Sequence, residues 1–243
     1  MKFSANLGFL YTRESESLIE RYSLAKADGF FGVETPNPYC VDVRDLQMKL
    51  NCLGLHQVAI NSHQGGTEEI GLACLPDKCQ DFREYLELSI NYAKALDCKK
   101  IHILSGLVKN KQIPFDDYER MYISNIKHSV ERLLKEDIMC LIEPINNRSV
   151  PCYFLDNFNL AKKVLKLIEC PNLKLQFDFF HAQIINGDLT QLFKSVEKHI
   201  GHIQIAQVPD RGHPGTMGEI NYDYILEFVK HRKYDGWIGL EYK

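Results

Sequence analysis

Short β-rich segments alternate with longer amphipathic stretches along the whole chain, and this alternation limits the fold more than any other feature. The strand candidates are residues 3–6, 32–34, 56–61, 100–105, 139–143, 174–178, 202–206 and 236–241. Helical spacing of apolar residues marks 15–28, 82–96, 118–135, 158–168, 189–199 and 224–231. The first of these places Leu18, Ile19, Tyr22 and Ala25 on one face. From Phe3 to Gly236 the repeat averages about 33 residues, the size of a βα unit. Eight strands joined by seven crossovers call for a parallel sheet with right-handed connections. At this length a closed (β/α)₈ TIM barrel is favoured over an open sheet. A Gly-x-Gly-x-x-Gly turn after the first strand would have indicated a dinucleotide fold, and there is none. The sequence stops two residues after Glu241, so the expected barrel lacks the final helix after strand 8. The outer face of that strand is then open, which favours association into a homo-oligomer.

Composition narrows the function classes. The 243 residues show no linker, low-complexity tract or composition shift, so one domain, 1–243, is expected. Lys and Arg number 29 against 32 Asp and Glu, a formal charge of -3, which disfavours a nucleic-acid partner. No apolar run approaches the ~18 residues of a membrane span. The N-terminus has no signal-peptide core, so a cytoplasmic protein is expected. Eight dispersed cysteines without a Cys-x-x-Cys pair read as reduced, mostly buried thiols. Cys74 and Cys79 are the closest pair and make only a weak case for a redox or metal role.

Nearly every strand candidate ends in a polar residue: Asn6, Glu34, Asn61, Ser105, Glu143, Asp178, Gln204 and Glu241, with Gln204 just inside its strand. In a barrel these ends converge at the C-terminal mouth, where active sites are built. Three of the acids directly follow apolar runs, in Leu141-Ile142-Glu143, Gln176-Phe177-Asp178 and Gly239-Leu240-Glu241. Consecutive strands lie ~5 Å apart, so Glu143, Asp178, Gln204 and Glu241 can meet. Three clustered carboxylates repel unless a cation or a proton joins them. An all-oxygen set suits a hard divalent ion, Mg²⁺ or Mn²⁺. The other reading of the same residues is helix capping or pairing with Arg and Lys. His181, three residues after Asp178, is placed to donate to a substrate oxygen, or else is structural. Arg148 and Arg211 follow strand ends on loops. Either can hold an anionic substrate, and the sequence does not choose between them. The glycine-rich segment 212–219 has the length of a lid, and the Gly65-Gly66 pair marks a turn or a second loop over the mouth.

These stretches resemble the hydroxypyruvate isomerase family of xylose-isomerase-like TIM barrels over essentially the whole chain. The resemblance is carried by Phe3-Ser4-Ala5-Asn6-Leu7, Tyr92-Ala93-Lys94-Ala95-Leu96, Leu141-Ile142-Glu143-Pro144-Ile145-Asn146 and Gln176-Phe177-Asp178-Phe179-Phe180-His181. It continues in His202-Ile203-Gln204-Ile205-Ala206-Gln207-Val208-Pro209, Gly218-Glu219-Ile220-Asn221-Tyr222 and Gly239-Leu240-Glu241-Tyr242-Lys243. It implies Glu143 and Glu241 as the acid/base pair and Glu143, Asp178, Gln204 and Glu241 as the metal set. The implied reaction interconverts hydroxypyruvate and tartronate semialdehyde (2-hydroxy-3-oxopropanoate). One Glu removes a proton beside the carbonyl, the metal stabilises the enediolate, and the other Glu reprotonates the neighbouring carbon. The chain departs from the family in Ser62-His63-Gln64-Gly65-Gly66, where a Pro-containing loop is usual, and in His213, where an acid often precedes Pro214. Three other readings stand beside this one: a ketose 3-epimerase of the same group, which typically carries His where this chain has Gln204; an endonuclease-IV-type enzyme, which needs several zinc-binding His; and an inactive, C-terminally short isoform.

Overall fold

The computed structural model describes residues 1–243. Eight parallel strands close into a barrel in sequence order: β1 (Lys2–Asn6), β2 (Gly32–Thr35), β3 (His56–Asn61), β4 (Lys100–His102), β5 (Met139–Ile142), β6 (Leu173–Asp178), β7 (Ile200–Ile205) and β8 (Trp237–Leu240). The ring is completed by pairing of β1 with β8, Ser4 opposite Gly239. Between the strands run α1 (Leu18–Ala27), α2 (Val43–Leu53), α3 (Cys79–Ala95), α4 (Phe115–Leu134), α5 (Phe158–Ile168), α6 (Phe179–Ile185), α7 (Leu189–Val196) and α8 (Tyr222–His231). The expected strands recur within a few residues, though β4 stops at His102 because the chain beyond it turns away to bridge Ser105 to Gly71.

Two helices fall outside the expected spans. The start of α2 is set by Asp42, whose carboxylate accepts from Arg44 N–H at 2.8 Å. Its end is set by Gly54 in the left-handed region, φ 60°. Only Leu46 and Leu50 of α2 are buried, too few to mark a helix in the sequence. In α6, Asp178 serves as both the last residue of β6 and the helix N-cap, its Oδ1 accepting from Phe180 N–H at 2.8 Å. Asn157 and Asn221 cap α5 and α8 in the same way.

The core lies between the barrel wall and the helices, where α4 and α5 contribute Tyr118, Tyr122, Phe158 and Val164, each buried. The barrel interior toward the mouth is polar instead. No helix follows β8 within these 243 residues. On the outer side of β8 and β1, Phe3, Leu226 and Leu240 line a groove of about 600 Å³. All eight cysteines are free thiols. No helix is long and apolar enough to cross a membrane.

Candidate active site

Register places the four candidate ligands at one end of the barrel. Asp178 pairs with Gln204, and Gln204 with Gly239, two residues below Glu241. Glu143 directly follows β5. All four are buried, Asp178 almost completely at 1% exposure. A cavity of about 250 Å³ opens above them. It is lined by Glu143, Glu241, His181 and Arg211, with Asn61 and Gln64 on the opposite wall.

Each side chain is held from below or from the side. The Oε2 of Glu143 accepts from Gln176 Nε2 at 2.9 Å and lies 3.4 Å from His102 Nδ1, while its Oε1 is buried without a partner. Gln204 donates through Nε2 to Glu34 at 2.7 Å, and its Oε1 is likewise buried and unpartnered. Arg211 joins the other two acids. Its Nη2 lies 2.8 Å from Glu241 Oε2 and 3.3 Å from Asp178 Oδ2, and its Nε donates to the Glu241 carbonyl at 3.0 Å. The guanidinium is sandwiched between Phe9 and Phe180, 4.4 and 4.7 Å from the ring centres. Arg211 takes the left-handed backbone region, φ 57°, which a non-glycine residue adopts only when its surroundings enforce it.

His181 follows from the short helix after Asp178, whose first turn swings the ring back over the strand ends. Its Nδ1 lies 3.2 Å from the Asn146 backbone N–H and 2.6 Å from the Asn146 Nδ2. The Asn146 Oδ1 is taken by Ser149 N–H, so its amide nitrogen faces the ring. Both neighbours donate, so Nδ1 accepts and the proton sits on Nε2. That nitrogen lies 3.5 Å from Asp178 Oδ2 and 3.3 Å from Arg211 Nη1. Burial, then Arg211, hold the His181 pKa well below the usual value, so the ring is neutral. A neutral ring protonated on Nε2 offers a donor to the cavity. Glu143, Asp178 and His181 do present ligand atoms within 4.8 Å of one another, a group able to hold a metal, but the tautomer suits His181 better to donating than to ligating.

The electrostatics are those of an acid cluster short of positive charge. Burial, then Glu241 and Asp178, raise the Glu143 pKa well above the carboxylate range. Burial raises Asp178 too, against Arg211. Glu241 is pushed up to about 8 by burial, with Arg211 opposing the shift and Asp178 adding to it. Fully ionised, the three carboxylates would exceed the one guanidinium by two negative charges, which protons offset in the metal-free protein and one divalent cation would balance. Two buried oxygen acceptors without partners and three carboxyl groups held to their protons by burial and crowding together fit a hard oxygen-seeking ion that would displace those protons.

The remaining sequence candidates lie elsewhere. Arg148 is exposed, outside the cavity, with Nη2 donating to the Pro209 carbonyl at 3.3 Å. His63 stacks on Tyr85, ring centres 4.1 Å apart, while its neighbour Gln64 reaches the cavity. The 212–219 segment is tied down by Gln207, which donates to the Thr216 and Ile220 carbonyls and accepts from Ile220 N–H. Sequence reasoning did not single out Ser4, His102, Gln176 and His202, and it took Glu34 only as a strand end. The signal was present. Gln176 stands two residues before Asp178, and His202 two before Gln204, so each pair points to one face of its strand.

Residues 22–243 match the family described as xylose isomerase-like TIM barrel. The chain belongs to that family. Its place there is among isomerases. Hydroxypyruvate isomerase of Escherichia coli (strain K12) is 37% identical, covering 100% of this chain and 93% of its own. A 2-oxo-tetronate isomerase of Cupriavidus necator is 38% identical over 100% of this chain and 92% of its own. Among solved structures, a Brucella melitensis protein titled AP endonuclease, family 2 superposes with a TM-score of 0.94 at 35% identity, covering 99% of this chain and 92% of that one.

Proposed function

We propose that this isomerase interconverts hydroxypyruvate and tartronate semialdehyde by proton transfer between two glutamates. The observation that carries the reading is the convergence of Glu143, Glu241, His181 and Arg211 on one small cavity. Arg211 binds the substrate carboxylate. Unlike Arg148 it is inside the cavity, and its flanking rings and acidic partners fix its plane. One of Glu143 and Glu241 removes a proton from C3, leaving an enediolate. The other delivers a proton to C2, and the C3 hydroxyl becomes the aldehyde as its proton passes to the C2 oxygen. His181 Nε2–H donates to the enediolate oxygen. Burial excludes bulk water from these groups and strengthens each interaction.

Glu143, Asp178, Gln204 and Glu241 would hold a Mg²⁺ or Mn²⁺ ion. Such an ion supplies positive charge where the substrate oxygens become negative. It would also offset the mutual repulsion of the three carboxylates. Residues 1–243 act as one domain in this reading, in a cytoplasmic enzyme with a small-molecule substrate and no nucleic-acid partner. The relative named 2-oxo-tetronate isomerase supports a second substrate, the acid one carbon longer, on which the same two glutamates would do the same chemistry.

The test is conversion of hydroxypyruvate by purified protein with Mg²⁺ or Mn²⁺, then after chelation. Formation of tartronate semialdehyde that stops with chelator is the expected result. Epimerisation of a ketohexose at C3 with no turnover of either acid would overturn the reading in favour of an epimerase.

A further inference from the structure

Around and beneath the strand ends lies a second set of buried polar side chains, of which His102 and Gln176 also line the cavity while Ser4, Glu34 and His202 do not. Ser4, Glu34, His102, Gln176 and His202 are each 4% exposed or less. Aliphatic side chains would fill a barrel interior without the desolvation these groups suffer, so their presence needs a reason.

Glu34 is the centre of this set. Its Oε1 accepts from the Ser4 hydroxyl at 2.6 Å and lies 2.9 Å from His202 Nε2. Its Oε2 accepts from Gln204 Nε2 at 2.7 Å. An ionised carboxylate only accepts hydrogen bonds, so Gln204 can meet it only through its NH₂ group. The inverted amide would set two oxygens face to face at that distance in a dry interior. The other end of the amide, Oε1, is therefore turned away from Glu34, buried and without a partner. Glu34 itself occupies a built seat. The β2–β3 register slips between Val33 and Glu34, an irregularity that re-aims the side chain. Gly239, opposite Gln204 in the sheet, leaves the room the carboxylate needs, since a Cβ there would come within 2.2 Å of Glu34 Oε1. The same device recurs across the barrel. The β6–β7 register slips between Leu175 and Gln176, and Gln176 holds the Oε2 of Glu143 so that Oε1 is left free.

We propose that Glu34 is a positioning residue that fixes the Gln204 amide with its oxygen, not its nitrogen, toward the mouth, and so makes Gln204 a cation ligand rather than a hydrogen-bond donor. The ligand part rests on the metal reading above; the orientation does not.

The test exchanges the two functional groups. In Glu34→Gln the remaining oxygen stays with Ser4 and His202, and the new NH₂ faces Gln204. The Gln204 amide then inverts and turns its own NH₂ to the mouth. The double variant E34Q/Q204E swaps amide and carboxylate between the positions, keeps the charge and the hydrogen bond, and again leaves an oxygen facing the mouth. Mn²⁺ affinity of the full chain, followed by electron paramagnetic resonance, is expected to fall about 10–100-fold in Glu34→Gln, the scale seen when the partner of a metal ligand is lost. It is expected to recover in E34Q/Q204E. Gly239→Ala, which displaces Glu34, is expected to show the same loss. Equal affinity in wild type and Glu34→Gln, or a loss that the double variant fails to recover, would overturn the proposal.

A second readout needs no metal. In chelated, ¹⁵N-labelled protein the Gln204 NH₂ protons, bonded to Glu34, should exchange slowly in wild type and rapidly in Glu34→Gln. Equal protection in both would overturn the proposal. If the exchange pattern holds while wild type binds no Mn²⁺, the metal reading fails and the positioning role stands.

Discussion

Asn6 at the end of β1 and Ser105 just beyond β4 are occupied by loop backbone. Asn6 Oδ1 accepts from Gly8 N–H at 3.0 Å and shapes the turn after β1. Ser105 Oγ, just beyond β4, accepts from Leu155 N–H at 3.3 Å and donates to the Gly106 carbonyl. Glu34 on β2 has three donors. Across the mouth, β5 to β8 end in side chains that the fold meets only in part. Glu143 and Gln204 each keep a buried oxygen without a partner, and Asp178 and Glu241 share one guanidinium. Both halves look alike in the sequence, as polar residues closing apolar runs. They differ in what remains unmet after folding, and His102 at the end of β4, both ring nitrogens unpartnered and Nδ1 3.4 Å from Glu143, sides with the unmet group. Buried polar groups are ordinarily paired, so a cluster of unmet acceptors in one half of a barrel mouth marks the half that meets a ligand.

The sharpest way to break this comparison is to remove a charge from the unmet half. Glu143→Gln is expected to lower turnover about 100- to 10,000-fold, the range of a lost general acid or base, while the protein stays folded by circular dichroism. Arg211→Ala is expected to raise KM for hydroxypyruvate roughly 10- to 100-fold, matching the ~1.5–3 kcal/mol of a hydrogen bond to a charged group. Steady-state kinetics separates this from an effect on kcat.

A third prediction concerns stability and pH. Glu241 stands near 8 in the fold against an ordinary 4.5, so the folded chain holds this proton over a range where the unfolded chain has released it. The stability it contributes is complete below about 4.5 and is lost as pH rises through about 8. In chelated protein the Tm of wild type relative to Glu241→Gln should therefore fall between pH 5 and pH 8, a comparison that cancels the opposite contribution of the buried His102, His181 and His202, and a bound divalent ion should flatten that decline. A relative Tm that rises across this interval would contradict the acid cluster. The smallest effect belongs to the satisfied half. Ser105→Ala is expected to lower stability by about 1 kcal/mol, the value of an ordinary hydrogen bond, and to leave KM unchanged; chemical denaturation and the same assay measure both.

Much of the fold was legible because βα units repeat a simple pattern. The strands β1, β3 and β6 fall within one residue of the expected spans, since apolar runs with polar ends leave little freedom. The helix α6 was not legible. Its seven residues, Phe179-Phe180-His181-Ala182-Gln183-Ile184-Ile185, are too short for periodicity, and its start is hidden in a residue that also ends a strand. Of the candidate site, Glu143, Asp178, Gln204 and Glu241 could be gathered from their strand-end positions alone. The choice between Arg148 and Arg211 could not be made, because both lie on loops and only tertiary packing puts Phe9, from the β1 end of the chain, against Arg211. The set around and beneath the mouth was missed because Gln176 and His202 sit inside apolar strands, where the eye reads core. The period of two that pairs them with Asp178 and Gln204 is the sign that they point inward with the site.

The central claim is that the unmet half of the mouth moves a proton between adjacent carbons of a small hydroxy-oxo acid. The most direct measurement is proton NMR of hydroxypyruvate turned over in D₂O by wild-type protein with Mg²⁺ or Mn²⁺. The account predicts tartronate semialdehyde carrying solvent deuterium at C2. Product formed at full rate with no deuterium at C2 or in recovered substrate would contradict it, because the hydrogen would then have passed directly between the carbons or been carried by one shielded base, not relayed between two glutamates.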